Sequence, residues 1–206
     1  MIAIIDYGMG NLRSVQKAFE RLKIPAFITS DKSEIKRADK IILPGVGNFR
    51  HGMENLKSMS LYEILNYKVL EEDTPILGIC LGMQLLTNYS EEGDCAGFGW
   101  IDAKTKAICF ENDDIKLKIP HMGWNTLIPI KKHMLFEGHD PEQSFYFVHS
   151  FCVQCISDYC LAKTEYGIAF ASVINKGHIF GMQFHPEKSH KQGLNLLKNF
   201  AEYKNV

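Results

Sequence analysis

The sequence predicts a single α/β domain spanning residues 1–206, with a mostly parallel central sheet flanked by helices and a more antiparallel C-terminal part. Two observations support this prediction. The first half alternates short apolar runs with helical patterns, which is typical of right-handed βαβ units. The second half contains successive strand patterns with short connections and closes on an amphipathic helix. We find no repeat, low-complexity tract or linker, and 206 residues suffice for one sizeable core.

The elements of the first half follow from their apolar patterns. Residues 2–5 predict a first strand, and residues 12–22 predict a helix because Leu12, Val15 and Phe19 fall on one face. Short strands are predicted at residues 26–29, at residues 41–43, where Pro44-Gly45 should stop the strand, and at residues 75–79. Helical segments are predicted within residues 49–70 and over residues 81–87.

The second half has the pattern of a strand-rich region. Strands are predicted at residues 97–110, 115–119, 145–151, 161–164, 170–174 and 178–183. A final helix is predicted over residues 192–203. This change of pattern is the basis for expecting a more antiparallel C-terminal part.

The composition excludes several classes of protein. The net charge is -1, so neither nucleic acid nor an anionic membrane is expected as a partner. No apolar run approaches the roughly 20 residues that span a bilayer, and the N-terminus predicts a strand, not a signal peptide. The six cysteines form no regular framework, so we expect reduced thiols in a cytoplasmic protein; they are Cys80, Cys95, Cys109, Cys152, Cys155 and Cys160.

One cysteine has the spacing of a nucleophile elbow. Gly78-x-Cys80-x-Gly82 follows a predicted strand and opens a predicted helix, as that motif requires. A tight strand-to-helix turn exposes the nucleophile, and side chains at the flanking positions would collide. The N-terminus of the helix favours the thiolate. The alternative is a buried cysteine on a glycine-rich turn.

A candidate base follows near the C-terminus, in the stretch "QFHPEKS". Pro186 favours an extended conformation at His185. If the strand continues through Glu187, His185 and Glu187 project to the same face, where a carboxylate can orient an imidazole. The alternative is a surface turn.

Two other chemistries are disfavoured by spacing. Zinc deaminases place P-C-x-x-C after H-x-E, whereas Cys152 and Cys155 precede His185 and lack the proline. We interpret these two cysteines as packing residues, and the remaining histidines form no metal set. Gly8-Met9-Gly10 follows the first strand, but Arg13 breaks the dinucleotide-binding fingerprint. We therefore expect no metal and no cofactor.

The stretch "LPGVGNF" offers a candidate anion-binding backbone. It follows a predicted strand and contains Gly45 and Gly47. Glycine lets backbone N–H groups turn toward a ligand, as an oxyanion hole requires.

Six motifs occur in order along the chain: "DYGMGN", "LPGVGNF", "GICLGMQLL", "PHMGWN", "YFVHSF" and "FHPEKS". Together they resemble the class I (triad) glutamine amidotransferase family, and within it the glutaminase subunits of imidazole glycerol phosphate synthases. The resemblance runs from residue 1 to the C-terminal helix. The elbow and H-P-E identify the class, and the first, fourth and fifth motifs narrow it to these subunits.

The resemblance implies a role for each matching residue. Cys80 would be the nucleophile, His185 the general base and then acid, and Glu187 the orienting carboxylate. The other implied roles are an oxyanion hole at Gly45, Val46, Gly47 and Leu81, and substrate binding by Gln84, Glu92 and the backbone of Ser150. The implied partner interface comprises Asn11, Met122, Trp124, Tyr146 and Lys188. We place Met122 and Trp124 in a loop that contains two turn-forming residues, Pro120 and Gly123.

The resemblance also implies a substrate and a partner. The substrate would be L-glutamine, hydrolysed to glutamate and ammonia. The glutaminase signature occupies the whole chain, so a separate synthase (cyclase) subunit, a (β/α)8 barrel, would be the obligate partner in a heterodimer of histidine biosynthesis. The family's oxyanion strand is thought to need rearrangement before it works.

Two features depart from the family pattern. Phe151 stands where tyrosine is usual, and residues 97–110 differ from the common sequence. They leave open a paralogue that feeds ammonia to a partner amidating a surface-polysaccharide or nucleotide sugar. An inactive regulatory homologue is a further alternative, which the intact Cys80, His185 and Glu187 disfavour.

Overall fold

The computed structural model describes residues 1–110 and 116–204. In the first half, helices alternate with strands. The strands are β1 Ile2–Ile5, β2 Ala26–Thr29, β3 Lys40–Gly45 and β4 Ile76–Cys80. The helices are α1 Leu12–Arg21, α2 Lys32–Lys36, α3 Phe49–Ser58, α4 Leu61–Asn66, extended by a π turn at Tyr67–Glu71, and α5 Leu81–Leu85.

The second half is mostly strands. They are β5 Thr87–Ser90, β6 Cys95–Ala96, β7 Ile101–Ala107, β8 His121–Thr126, β9 Ile128–Pro129, β10 Ser144–His149, β11 Phe151–Cys155, β12 Cys160–Glu165, β13 Ala169–Lys176 and β14 Ile179–Met182. Two 3₁₀ turns, Met134–Phe136 and Pro186–Lys188, and the helix α6 His190–Glu202 complete the described residues.

Twelve of the described strands form one sheet. Its order is β2-β1-β3-β4-β14-β13-β11-β7-β5-β6, with β12 pairing β13 and β9. In this order, neighbouring strands from β2 to β14 run parallel to each other. Beyond β14, most neighbouring strands are antiparallel. Strands β8 and β10 form a separate antiparallel ribbon. The predicted α/β class with a more antiparallel C-terminal part is confirmed.

The inner parallel strands are buried on both faces, whereas the edge strand β2 is half-buried. In β1, Ile2 and Ile4 pack in one apolar cluster and Ala3 and Ile5 in another. Helices α1 and α6 cover the first face, and α3, α4 and α5 cover the second. Burial on both faces is typical of parallel strands and produces the continuous apolar runs of the sequence.

Several predicted boundaries are wrong. Strand β3 continues through Pro44 and Gly45 instead of stopping before them. The strand predicted at 97–110 is restricted to β7, and the one predicted at 145–151 divides between β10 and β11. For the strand predicted at 115–119, Ile115 lies outside the described residues, and residues 116–119 are not a strand.

Candidate active site

Cys80 occupies the turn between β4 and α5, where the backbone takes an unusual conformation. Its φ is 54° and its ψ is -110°, a left-handed conformation that costs energy for a residue with a side chain. A Cβ on Gly78 would lie 2.5 Å from the Gly82 carbonyl oxygen, and one on Gly82 would lie 1.7 Å from the Leu43 carbonyl oxygen. Both glycines are therefore required for the helix to approach the sheet this closely, as the spacing predicted.

The thiol of Cys80 is almost fully buried, with 6% of the residue exposed. Its Sγ lies 3.8 Å from the Val148 carbonyl oxygen and 3.9 Å from Nε2 of Gln183. The sequence left two alternatives for Cys80, a nucleophile elbow and a buried cysteine on a glycine-rich turn. The structure has the backbone turn of the first and the burial of the second, so the two do not exclude each other.

His185 and Glu187 meet, although the local structure differs from the prediction. Strand β14 ends at Met182, and a 3₁₀ turn with Pro186 at its start brings the two side chains together. Nδ1 of His185 lies 2.9 Å from Oε1 of Glu187, and both side chains are 2% exposed. The backbone N–H of His185 donates to the Tyr146 carbonyl at 2.9 Å, which anchors the turn to β10. The predicted extension of the strand through Glu187 is wrong.

The electrostatics of His185 favour the imidazolium. Burial alone would lower its pKa, but Cys80 and Glu187 outweigh burial and raise the pKa to about 9. Nε2 of His185 has no hydrogen-bond partner among the described residues, so we attribute the Cys80 contribution to attraction between charges, not to a formed hydrogen bond. Nδ1 is held by Glu187, which leaves Nε2 as the ring nitrogen available for proton exchange.

A cavity of about 340 Å³ opens above Cys80. Its walls contain most of the residues that the sequence assigned to substrate binding and to the oxyanion hole. They are Val46, Gly47, Cys80, Leu81, Gln84, Glu92, Pro120, Val148, His149, Ser150 and Phe151. Gly45, His185 and Glu187 are not among the residues that line the cavity.

Comparisons with known proteins identify the family of the chain. The sequence model of the family described as glutamine amidotransferase class-I matches residues 3–203. The chain belongs to this family. It is 49% identical to the imidazole glycerol phosphate synthase subunit HisH 1 of Campylobacter jejuni (strain RM1221), over 97% of this chain and 98% of that protein. It is 51% identical to the corresponding subunit HisH 2 of Methanococcus maripaludis, over 98% and 99%.

The fold agrees with solved structures of lower sequence identity. A crystal structure of a glutamine amidotransferase superposes with a TM-score of 0.72 at 18% identity, covering 98% of this chain and all of that one. At this identity the likeness shows the fold alone, which is that of a class I glutamine amidotransferase.

The candidate oxyanion segment of this amidotransferase lies beside the elbow. Gly45 pairs with Cys80 in the parallel register of β3 and β4. A Cβ on Gly45 would lie 2.3 Å from the Tyr7 hydroxyl and 3.0 Å from Cβ of Leu81, so only glycine fits there. Gly47 has φ +109°, which a residue with a side chain adopts only with strain. Val46, between them, is 41% exposed.

The candidate substrate-binding residues are held by hydrogen bonds. Gln84 Nε2 donates to the Phe151 carbonyl at 2.9 Å and to Gln183 Oε1 at 3.2 Å. Oε2 of Glu92 accepts from the Phe49 N–H at 2.8 Å. Burial raises the pKa of Glu92 and outweighs its hydrogen bonds with Phe49 and Asn48. The Ser150 carbonyl accepts from the Ile108 N–H at 2.9 Å.

The sequence reasoning missed two buried histidines beside the cavity. Nε2 of His149 lies 3.0 Å from Nδ1 of His121, and Nδ1 of His149 lies 2.9 Å from the Phe151 carbonyl oxygen. Burial lowers the pKa of His149 to about 3 and that of His121 to about 4, so both rings are neutral. Both occur in motifs that we used only for the resemblance, "PHMGWN" and "YFVHSF". Tyr7 and Gln183 were missed as well, because a single buried residue gives no periodic signal.

Four of the five residues assigned to a partner interface lie on the β8–β10 ribbon and the turn after β14. Met122 is 62% exposed and Trp124 49% exposed, both on strand β8, so their predicted loop is wrong. Trp124 pairs with Tyr146 of β10, and Nζ of Lys188 lies 5.6 Å from the centre of the Tyr146 ring. Asn11 instead caps α1, accepting from the Ser14 N–H at 3.3 Å.

Neither a metal-binding cluster nor a membrane-spanning helix is present in the described part of the chain. Within residues 1–110 and 116–204, no group of three or more histidine, cysteine or acidic side chains is arranged to hold a metal ion. In that same part of the chain, no helix is long and apolar enough to span a membrane.

Proposed function

We propose that the chain is the glutaminase subunit of an imidazole glycerol phosphate synthase. It hydrolyses L-glutamine to glutamate and ammonia. The ammonia passes to a (β/α)8-barrel cyclase subunit, which forms imidazole glycerol phosphate and aminoimidazole carboxamide ribonucleotide in histidine biosynthesis. The relatives from Campylobacter jejuni and Methanococcus maripaludis, both named as subunits of this synthase, support the assignment over nearly their whole length.

The observation that carries the chemistry is the 2.9 Å contact between Nδ1 of His185 and Oε1 of Glu187, next to the elbow of Cys80. Glu187 orients the imidazole and keeps Nε2 toward Cys80. His185 takes the thiol proton, and the thiolate attacks the side-chain carboxamide of glutamine. The resulting imidazolium then protonates the departing ammonia, which leaves a glutamyl thioester.

Hydrolysis of the thioester needs His185 as a base. The negative charge of the thiolate contributes to the raised pKa of His185, and this charge is absent in the thioester. The pKa therefore falls after acylation, and the neutral imidazole accepts a proton from the attacking water. In both steps the tetrahedral oxyanion would be held by backbone N–H groups of Gly45, Val46, Gly47 and Leu81.

The cavity supplies the contacts for the rest of the substrate. Gln84, Glu92 and the Ser150 backbone would bind the amino-acid end of glutamine, since all three line the walls around Cys80. The cyclase subunit would dock on the face of Met122, Trp124, Tyr146 and Lys188, with Asn11 near its rim. An obligate heterodimer of this kind prevents the loss of ammonia to solvent.

Glutamine hydrolysis in the presence of a cyclase subunit tests the proposal. Cys80→Ser should abolish glutamate release while the chain still folds and binds its partner, because only the nucleophile is lost. Cys152→Ser is the control, since Cys152 is also buried but does not line the cavity. Unchanged hydrolysis by Cys80→Ser would refute the assignment of the nucleophile.

The other assignments drawn from the sequence are less favoured. Amidation of a sugar would use the same glutaminase chemistry, but the Campylobacter jejuni and Methanococcus maripaludis relatives carry the synthase name. An inactive regulatory subunit would have no need of the intact Cys80, His185 and Glu187. We place the protein in the cytoplasm on the basis of its six free thiols, and we treat residues 1–206 as one glutamine amidotransferase type 1 domain.

A further inference from the structure

Two buried glutamine side chains connect the cavity wall to the sulfur of Cys80. Gln84 Nε2 lies 2.9 Å from the Phe151 carbonyl oxygen and 3.2 Å from Oε1 of Gln183. Nε2 of Gln183 lies 3.9 Å from Sγ of Cys80, a long contact that suits the large sulfur atom. Gln183 is fully buried, with no exposed surface, and Gln84 is 4% exposed. The chemistry proposed above gives Gln183 no role.

The orientation of both amides follows from one acceptor. A backbone carbonyl can only accept, so the Gln84 atom facing Phe151 must be its nitrogen. That nitrogen also faces Gln183, which must therefore present its oxygen to Gln84. The remaining amide group of Gln183, its NH₂, then necessarily faces Cys80. No alternative flip of either amide satisfies all three contacts.

This arrangement determines what Gln84 offers to a substrate. Both amide hydrogens of Gln84 are used, one by Phe151 and one by Gln183. Gln84 lines the cavity, so the group that it can present there is the acceptor Oε1. An acceptor suits an N–H donor, and glutamine carries such donors in its ammonium and carboxamide groups. Without Gln183, one amide hydrogen of Gln84 loses its acceptor, and only the Phe151 carbonyl still holds the amide in this orientation.

We infer that Gln183 is a positioning residue of the glutaminase site, which donates a hydrogen bond to the Cys80 sulfur and holds Gln84 with Oε1 toward the cavity. The first role favours the thiolate, because a hydrogen bond to a charged acceptor is stronger than one to a neutral acceptor. The second role sets the affinity for glutamine. Only the second role depends on the proposed function, because the first concerns the free chain.

Alkylation of Cys80 tests the first role on the purified chain. The rate of reaction with iodoacetamide is measured from pH 5 to pH 10 by mass spectrometry of the Cys80 peptide. Gln183→Met removes both hydrogen bonds at similar volume, and Gln183→Glu keeps an oxygen for Gln84 but loses the donor to sulfur. Both variants should move the midpoint of the alkylation curve upward by about one pH unit, a tenfold change in the protonation equilibrium.

Steady-state glutamine hydrolysis with the cyclase subunit tests the second role. Gln183→Met should raise the KM for glutamine about tenfold and also lower kcat. Gln183→Glu should lower kcat with a smaller change in KM, because Gln84 keeps its acceptor. The control is Asn199→Asp, which places a carboxylate at another buried amide, one that donates to the Leu135 and Glu137 carbonyls. It should change neither the alkylation curve nor the KM.

Thermal unfolding of each variant shows which of them fold. If Gln183→Met does not fold, the test is made with Gln183→Glu alone. A folded variant with the wild-type alkylation midpoint and a KM within twofold of wild type would overturn the inference. The alkylation curve needs neither glutamine nor a partner. If the wild-type chain hydrolyses no glutamine, the proposed function fails, whereas the curve still decides whether Gln183 contacts the sulfur as inferred.

Discussion

Replacing Glu187 with glutamine removes a buried negative charge but keeps an oxygen that accepts from Nδ1 of His185, 2.9 Å away in the native chain. A hydrogen bond to a charged group contributes ~1.5–3 kcal/mol, and one between neutral groups ~0.5–1.5 kcal/mol. The substitution should therefore cost the imidazolium about 1 to 2 kcal/mol. One pKa unit corresponds to about 1.4 kcal/mol, so the pKa of His185 should fall from about 9 by about one unit.

Unfolding measurements should register this shift with a definite sign. The pKa of His185 in the folded chain, about 9, lies above its ordinary value of 6.5, so its stabilising effect is complete below pH 6.5 and is lost as the pH rises through 9. The difference corresponds to about 3 kcal/mol. Between pH 6 and pH 10, wild type should lose about 1 kcal/mol more of its free energy of unfolding in urea than Glu187→Gln does.

Glutamine hydrolysis with the cyclase subunit supplies the second readout. The high-pH limb of the rate profile depends on the imidazolium that protonates ammonia, so this limb should move down by about one pH unit in Glu187→Gln. The exposed Glu142 gives a matched control, and Glu142→Gln should leave the profile unchanged. A Glu187→Gln variant with the wild-type limb and the wild-type pH dependence of stability would refute the orienting role of the charge.

Two further substitutions test the interface and the core. Trp124→Ala should weaken binding of the cyclase subunit by about thirtyfold or more, as expected for a central aromatic anchor. We expect the isolated chain to have low glutaminase activity, and the variant should be stimulated less by the cyclase subunit than wild type is. Titration calorimetry measures the affinity for the cyclase subunit, with a substitution of the exposed Ile128, Ile128→Ala, as control. Wild-type affinity in Trp124→Ala would exclude Trp124 from the interface. Tyr7→Phe should raise the free energy of unfolding by about 1 kcal/mol, since the buried Tyr7 hydroxyl has no hydrogen-bond partner among the described residues. Tyr89→Phe, which loses a 2.6 Å hydrogen bond to Asp94, should not raise the free energy of unfolding. A Tyr7→Phe variant that is less stable than wild type would show that the Tyr7 hydroxyl has a hydrogen-bond partner.

The elements that the sequence predicted well are those whose signal is local. Strands β1 and β4 are buried on both faces, so each gives a continuous apolar run, and the half-buried edge strand β2 gives a shorter apolar run. The elbow was predictable because its two glycines are required by contacts within the motif and with the adjacent strand. Cys80 and the His185–Glu187 pair were candidates from two separate short motifs, and the resemblance to the family assigned them to one site.

The missed features depend on contacts between distant parts of the chain. Pro44 lies inside β3 because β1 pairs with β3 only as far as Ile42, and a proline without an N–H is tolerated where one side of the strand is unpaired. Strand β8 contains Gly123 between two exposed bulky residues, Met122 and Trp124, and β10 pairs with it along its whole length. No local pattern encodes that partner.

The convergence of the site follows from the topology. Strands β3, β4 and β14 are adjacent and parallel, so their carboxyl ends meet at one edge of the sheet. These ends deliver Gly45, Cys80 and the turn that carries His185 to the same place. In open α/β sheets, ligands bind in the crevice outside this edge. The cavity is then closed by β10 and β11, whose Val148 and Phe151 carbonyls contact Cys80 and Gln84. The parallel strands thus position the candidate nucleophile and the candidate base, and the antiparallel part that follows them in the chain contributes residues that surround both.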